Sequence, residues 1–257
     1  MIDRMRELKS MRAGHKKLNA EETMMSRLGP VLFKIANLVG LVLFGLFLLW
    51  LSRNGHVDFW LTQLFFDPLA KVFPQREAPL FTQVGHTALK WLVVAIGLTG
   101  LVLVIVSVWV TRWRAWRQAL ILFLLMVASS TILVSLLKAA STHSCPWDLV
   151  EFGGHAQWFP LFGPPSAMPG SGRCWPGGHA SGGFALIAGY FVLREKHPRW
   201  ARWALVTGLA LGTIMSGVQM ARGAHFLSHN LWTLWIVWAT CILLYLLLAP
   251  TAIPQKR

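Results

Sequence analysis

A chain of 257 residues that is 55% hydrophobic, only 13% charged and of mean hydropathy +0.52 is not an ordinary soluble domain, because its unbroken apolar runs are too long and too many. The formal charge of +14 would suit a nucleic-acid-binding protein, yet its placement argues for membrane topology instead. With six spans drawn, 17 of the 24 Lys and Arg fall on one side, eight of them within residues 1–34; the other side holds Arg53, Lys71, Arg76, Lys90, Lys138, Arg173 and Arg222. This bias puts both termini in the cytoplasm, and no nucleic-acid partner is expected. Backbone groups in lipid must be satisfied within their own segment, and the alternating pattern of a barrel is missing. The expected fold is therefore all-α: a polytopic membrane protein built as a six-transmembrane-helix bundle.

In chain order, residues 1–30 form a cytoplasmic basic segment in which Ile2, Met5, Leu8 and Met11 recur at near-helical spacing. An amphipathic helix on the anionic inner leaflet and a disordered basic tail both fit it. The apolar run that follows is too long for a cleavable signal sequence. Residues 31–257 make one membrane domain. Span one is expected over residues 35–51, followed by an external segment, 53–88, whose Asp58, Phe59, Trp60, Phe65 and Phe66 suit the membrane interface. Spans two and three are expected over 89–110 and 118–137, joined by the basic loop Arg112 to Arg117. A Gly- and Pro-rich external segment then runs to Gly178, long enough to be functional. Span four (179–193) is short for a bilayer; spans five and six cover 203–220 and 230–249. Trp232, Trp235 and Trp238 form a packing or lipid-facing stripe on the last.

The region 138–229 carries the chemistry. Lys138, Arg173 and Arg222, the only outer Lys or Arg after residue 90, each come from a different stretch, and three converging cations suit a phosphate group. The turn Pro176-Gly-Gly-His179 adds the backbone N–H groups of Gly177 and Gly178 at a helix N-terminus, a further anion site. Arg222, His225 and His229 are spaced by three and four, which a helix places on one face. Neutral His is a competent nucleophile toward phosphorus, and a second His can protonate the departing alkoxide. The spacing of His143, His225 and His229 with Cys145 is weak as a metal set, and nearby cations oppose a divalent ion, so no metal and no other cofactor is expected. His86 and His155 read as interfacial polar residues.

Lys138 with Cys145-Pro146 seven residues on, Pro176-Gly-Gly-His179, and His225 with His229 four residues on resemble the three motifs of the type 2 phosphatidic acid phosphatase superfamily. The resemblance covers spans three to six. It implies an integral-membrane lipid phosphatase in which His225 is the nucleophile that becomes phosphohistidine, His179 the general acid and Lys138 a phosphate ligand. Four positions depart from the pattern. Cys145 replaces an Arg, Gln219 replaces the third-motif Arg in the phosphate-binding set, His229 replaces an Asp, and Gly177 replaces a Ser. Arg173 and Arg222 are expected to restore the cations. Asp148 is expected to reach the His225–His229 pair, in which His229 accepts a hydrogen bond from His225; a turn-capping Asp148 is the alternative. Cys145 and Cys174, both external, would pair as a disulfide in an oxidising compartment or stand as two thiols. The expected substrate is an anionic lipid at the periplasmic face of a bacterial inner membrane: undecaprenyl pyrophosphate, phosphatidylglycerophosphate, phosphatidic acid or a lipid A phosphate. Phosphotransfer to a second lipid, and a pseudoenzyme that binds phospholipid or a membrane partner, are the alternatives.

Overall fold

The computed structural model describes residues 29–248. The expected amphipathic or disordered segment, up to residue 28, lies outside the described residues. The chain divides into a unit that ends at Leu43, helical over its described residues, and a second that begins at Phe44 and holds the site and every contact described below.

In order, the helices are α1 (Gly29–Leu51), α2 (His56–Gln63), α3 (Leu80–Val106), α4 (Thr111–Arg114), α5 (Arg117–Ala140), α6 (Gly178–Ala185), α7 (Ala188–Leu193), α8 (Pro198–Ala221) and α9 (Leu227–Leu248). No strand occurs among the described residues. Five of these helices, α1, α3, α5, α8 and α9, are long and apolar enough to cross a bilayer. The expected fourth span is the short stretch Gly178–Leu193, interrupted between α6 and α7. At 1.5 Å per residue it rises about 24 Å, less than a hydrocarbon core. Small residues let it sit deep among its neighbours. A Cβ on Gly183 would lie 2.5 Å from the Gly212 amide nitrogen of α8, so the two backbones touch where any side chain would hold them apart.

Two expectations change. Helix α3 begins at Leu80 rather than at residue 89, behind Pro79, and its first nine residues wind as a π-helix. The polar Gln83 and His86 and the glycine between them hide this start from a hydropathy reading. The aromatics of the 53–88 segment also do more than line an interface. Phe59, Phe65, Phe66 and Phe73 pack with Phe152 and Phe226 into an aromatic cluster that joins the 53–88 and 139–178 segments to the start of α9. Each fully buried Phe contributes about 1.5–3 kcal/mol, so this cluster fixes the loops around the site. Trp60 stays exposed. In the stripe on α9, Trp232 is buried and its indole N–H donates to Ser52 Oγ at 3.0 Å, tying α9 to the end of α1.

Candidate functional site

The three motif residues Arg222, His225 and His229 do not share one helical face. Helix α8 ends at Ala221, and Gly223, at φ 71°, takes the left-handed conformation that terminates it. The Gly223 N–H bonds to the Met220 carbonyl and the Ala224 N–H to the Gln219 carbonyl, both at 2.9 Å, which is the Schellman arrangement. No residue with a side chain fits at Gly223, since a Cβ there would lie 2.5 Å from the Phe73 ring. The chain then turns, and His225 lies in the turn, outside either helix. Sequence spacing implied a continuous helix; the glycine breaks it.

Helix α9 starts at Leu227, and a distant carboxylate caps its first turn. Asp58, from α2, accepts the Ser228 amide N–H at 2.9 Å and the Ser228 hydroxyl at 2.5 Å. Asp148, expected at this histidine pair, lies elsewhere: its carboxylate meets the Ser171 hydroxyl at 3.5 Å, and its carbonyl accepts the His155 and Ala156 amides. The turn-capping alternative is the closer description. Asp58 is only 4% exposed, and burial pushes its carboxyl up to about 6 against the opposing pull of the two Ser228 bonds. The folded chain therefore holds this proton more tightly than the unfolded chain. The group's contribution to stability is complete below about pH 4 and is lost as pH rises through 6, a loss of about 3 kcal/mol for some two pH units. Asp58→Ala should cost about 1–3 kcal/mol at pH 4.5, because Ser228 loses its buried partner. Asp58→Asn, still an acceptor, should cost less and remove the pH 4–6 component. Thermal unfolding of detergent-solubilised protein across pH 4–8 measures both.

The second motif sits on the same end of the molecule. The Gly177 N–H donates to the His229 carbonyl at 3.1 Å, and the Thr233 hydroxyl lies within bonding distance of the carbonyls of Gly177 and His229. A Cβ on Gly177 would run into Asn230 Oδ1. This accounts for Gly where the family motif has Ser: the side-chain space is already taken. Gly178 opens α6 against the Lys138 stem, where a Cβ would stand 3.1 Å from Lys138 Cδ. Lys138, in the last turn of α5, donates its ammonium to the Arg173 carbonyl.

These contacts bring Lys138, His179, His225 and His229 together. His225 is 3% exposed and close enough to Lys138, His229 and His179 to feel their charges, and burial, then those charges, hold its imidazole well below the ordinary value. It is neutral at physiological pH. Its Nδ1 lies 3.6 Å from Cys174 Sγ. The rings of His225 and His229 are 6.0 Å apart at 64°, and His229 Nδ1 is buried without a partner among the described residues. The expected His225–His229 hydrogen bond is not formed; the Cys174 sulfur stands against His225 Nδ1 instead. Cys145 and Cys174 are joined as a disulfide, with Cα atoms 5.1 Å apart. The ligand-type atoms of Cys174, His225 and His229 lie within 4.8 Å of one another, but a disulfide sulfur is not the thiolate that a metal needs.

The remaining two predicted cations divide. Arg222 is held by its Nε to the Arg76 carbonyl at 3.0 Å and by its terminal nitrogen to Gln219 Oε1 at 3.3 Å, and it faces His179. Gln219 is buried, and its Nε2 has no partner among the described residues. Arg173 is exposed, with its backbone at φ 58°, an uncommon conformation for a residue with a side chain; it reaches Lys138 through its carbonyl. His143 is a packing residue, stacked on Phe159 at 4.2 Å with Nε2 3.1 Å from the Leu161 carbonyl. His155 is exposed. Sequence reasoning missed Asp58 and His86, whose ring lies 3.8 Å from that of His179.

Apolar helices of membrane-spanning length around a buried cluster of histidines and cations define a polytopic integral membrane protein with a polar site at one end of its bundle. The chain belongs to the PAP2 superfamily, whose family profile matches residues 119–251, more than half of its length. Members of that family are phosphatases, which points to a phosphatase-type activity. No curated protein and no solved structure matches the chain.

Proposed function

We propose that the protein is a lipid phosphatase that acts at the periplasmic face of a bacterial inner membrane through a phosphohistidine. The observation that carries this reading is the surrounding of His179. The groups whose charges bear on it, His86, Lys138, Lys90 and Arg222, are all basic, and no carboxylate is among them. A site of that kind awaits an anion.

The substrate phosphate sits against Lys138, Arg222 and the Gly178 amide at the start of α6, the Gly177 amide being taken by the His229 carbonyl, with Arg173 at the rim and Gln219 Nε2 as a further donor. His225 turns Nδ1 toward Cys174, so Nε2 carries the free lone pair. Its attack forms an N–P bond while the P–O bond to the lipid breaks. The electron pair goes to the leaving oxygen, and His179 supplies the proton. Water then attacks phosphorus, the N–P bond breaks, and His179 takes the water proton. The Cys174 sulfur, 3.6 Å from Nδ1, orients His225, the task an Asp performs in the family pattern, and His229 lines the site behind it. Phosphomonoester hydrolysis needs a barrier lowered by upward of about 20 kcal/mol, which no single contact provides; nucleophile, acid and cations act together.

The test is phosphate release by purified protein from a panel of lipid phosphates, with acid-labile, base-stable phosphoenzyme trapped by rapid quench. Turnover of at least one lipid with trapped phosphohistidine is expected. Tight lipid binding without phosphate release would favour the pseudoenzyme, to which the missing third-motif Asp is the main pointer. Release into a second lipid instead of water would favour phosphotransfer.

A further inference from the structure

His86 lies outside the region that the family profile matches, on a helix that carries none of the three motifs. Its ring centroid is 3.8 Å from that of His179, with the planes inclined by 40°. We propose that His86 is a positioning residue for His179, holding by face contact the plane of the imidazole that delivers a proton to the leaving group. This inference rests on the roles proposed above for His179 and His225.

Three observations independent of the motifs support it. The π-helical winding of Leu80–Ala88 adds residues to each turn, marked by the Thr87 hydroxyl reaching the Thr82 carbonyl five residues back at 3.0 Å. Such stretches occur mostly where a side chain is re-aimed for function. Second, Gly85 seats this stretch on α8: a Cβ there would lie 2.7 Å from Val218, so the neighbour of His86 is the residue that permits the close approach. Third, the His179 ring makes no hydrogen bond among the described residues, so packing sets its orientation. Gly178 and Gly182 flank it without side chains, and Ala180 and Ser181 offer little contact surface. Among the described residues, His86 is the aromatic ring in contact with His179. Arg222 and Lys90 are near enough to His86 for their charges to act on it, as on His179.

A positioned acid matters in proportion to how badly the leaving group needs its proton. An alkoxide leaving from a lipid needs it; p-nitrophenolate does not. The experiment compares kcat/KM, which reports the steps through departure of the first product, for dioctanoyl phosphatidic acid and for p-nitrophenyl phosphate, using the full chain in nanodiscs. His86→Ala and His86→Asn should lower the lipid value about 10- to 100-fold, the range for a displaced catalytic group. The p-nitrophenyl value should stay within about threefold, which also reports that the variants are folded. His86→Phe, which keeps a flat ring, should recover most of the lipid value. Equal losses on both substrates, no loss on either, or a Phe variant as impaired as Ala would overturn the proposal. Wild type that cleaves neither substrate, or His225→Ala that cleaves both at the wild-type rate, would overturn the reading of the site itself and this inference with it.

Discussion

Alanine at position 225 should reduce kcat/KM for a lipid phosphate by at least about 10⁴-fold and abolish the trapped phosphoenzyme, because removal of a nucleophile is not compensated by the groups that remain. The loss should be constant across pH 7–8, because burial, then Lys138, His229 and His179, hold the His225 imidazole well below its ordinary value and its lone pair is present there. The same displacement has a stability consequence of definite sign. A histidine that resists protonation when folded makes the fold less stable as pH falls below about 6.5, where the unfolded chain takes up the proton first. His225→Ala should therefore flatten the acid side of the thermal stability curve while it removes activity. Rates and melting temperatures over pH 5–8 test both halves, and a variant that retains a tenth of wild-type turnover would remove His225 from the mechanism.

Reduction of the Cys145–Cys174 bridge is the second large effect. The bridge closes a loop with a sequence separation of 29, and constraining a loop of that size in the unfolded chain is worth about 3–4 kcal/mol. The local consequence is as important. Cys174 is fully buried, and its sulfur stands 2.8 Å from the Ala224 carbonyl and 3.6 Å from His225 Nδ1. Releasing it frees the residue that orients the nucleophile, and Arg173, whose carbonyl holds Lys138, moves with it. Cys145→Ser, Cys174→Ser and reductant-treated wild type should each unfold at lower temperature and lose about 10- to 100-fold in turnover. Non-reducing electrophoresis should show a mobility change in wild type alone. Reduced protein that melts and turns over like the oxidised form would show that the bridge supports neither fold nor site.

The order of spans, the helical class and the motif residues Lys138, His179 and His225 were legible in the amino-acid sequence because each is a local signal. Apolar runs follow from what lipid demands of a backbone, and the histidines and cations stand out against those runs. The Schellman turn at Gly223 was half visible: the glycine could be read, but not that it ends α8 before His225 and takes that ring off the helical face. What the tertiary structure decided is everything that depends on contacts between distant segments. Asp58 caps α9 across 170 positions, and a carboxylate among the aromatics of the 53–88 segment carries no periodicity that points to Ser228. His86 meets His179 only because α3 starts a full π-helical stretch earlier than hydropathy implies. The sulfur that meets His225 Nδ1 is set by a pairing across 29 positions, which the two cysteines alone left open. Side-chain chemistry was therefore written in the chain, while the partners that orient it were set by packing, since long-range contacts leave no local pattern behind.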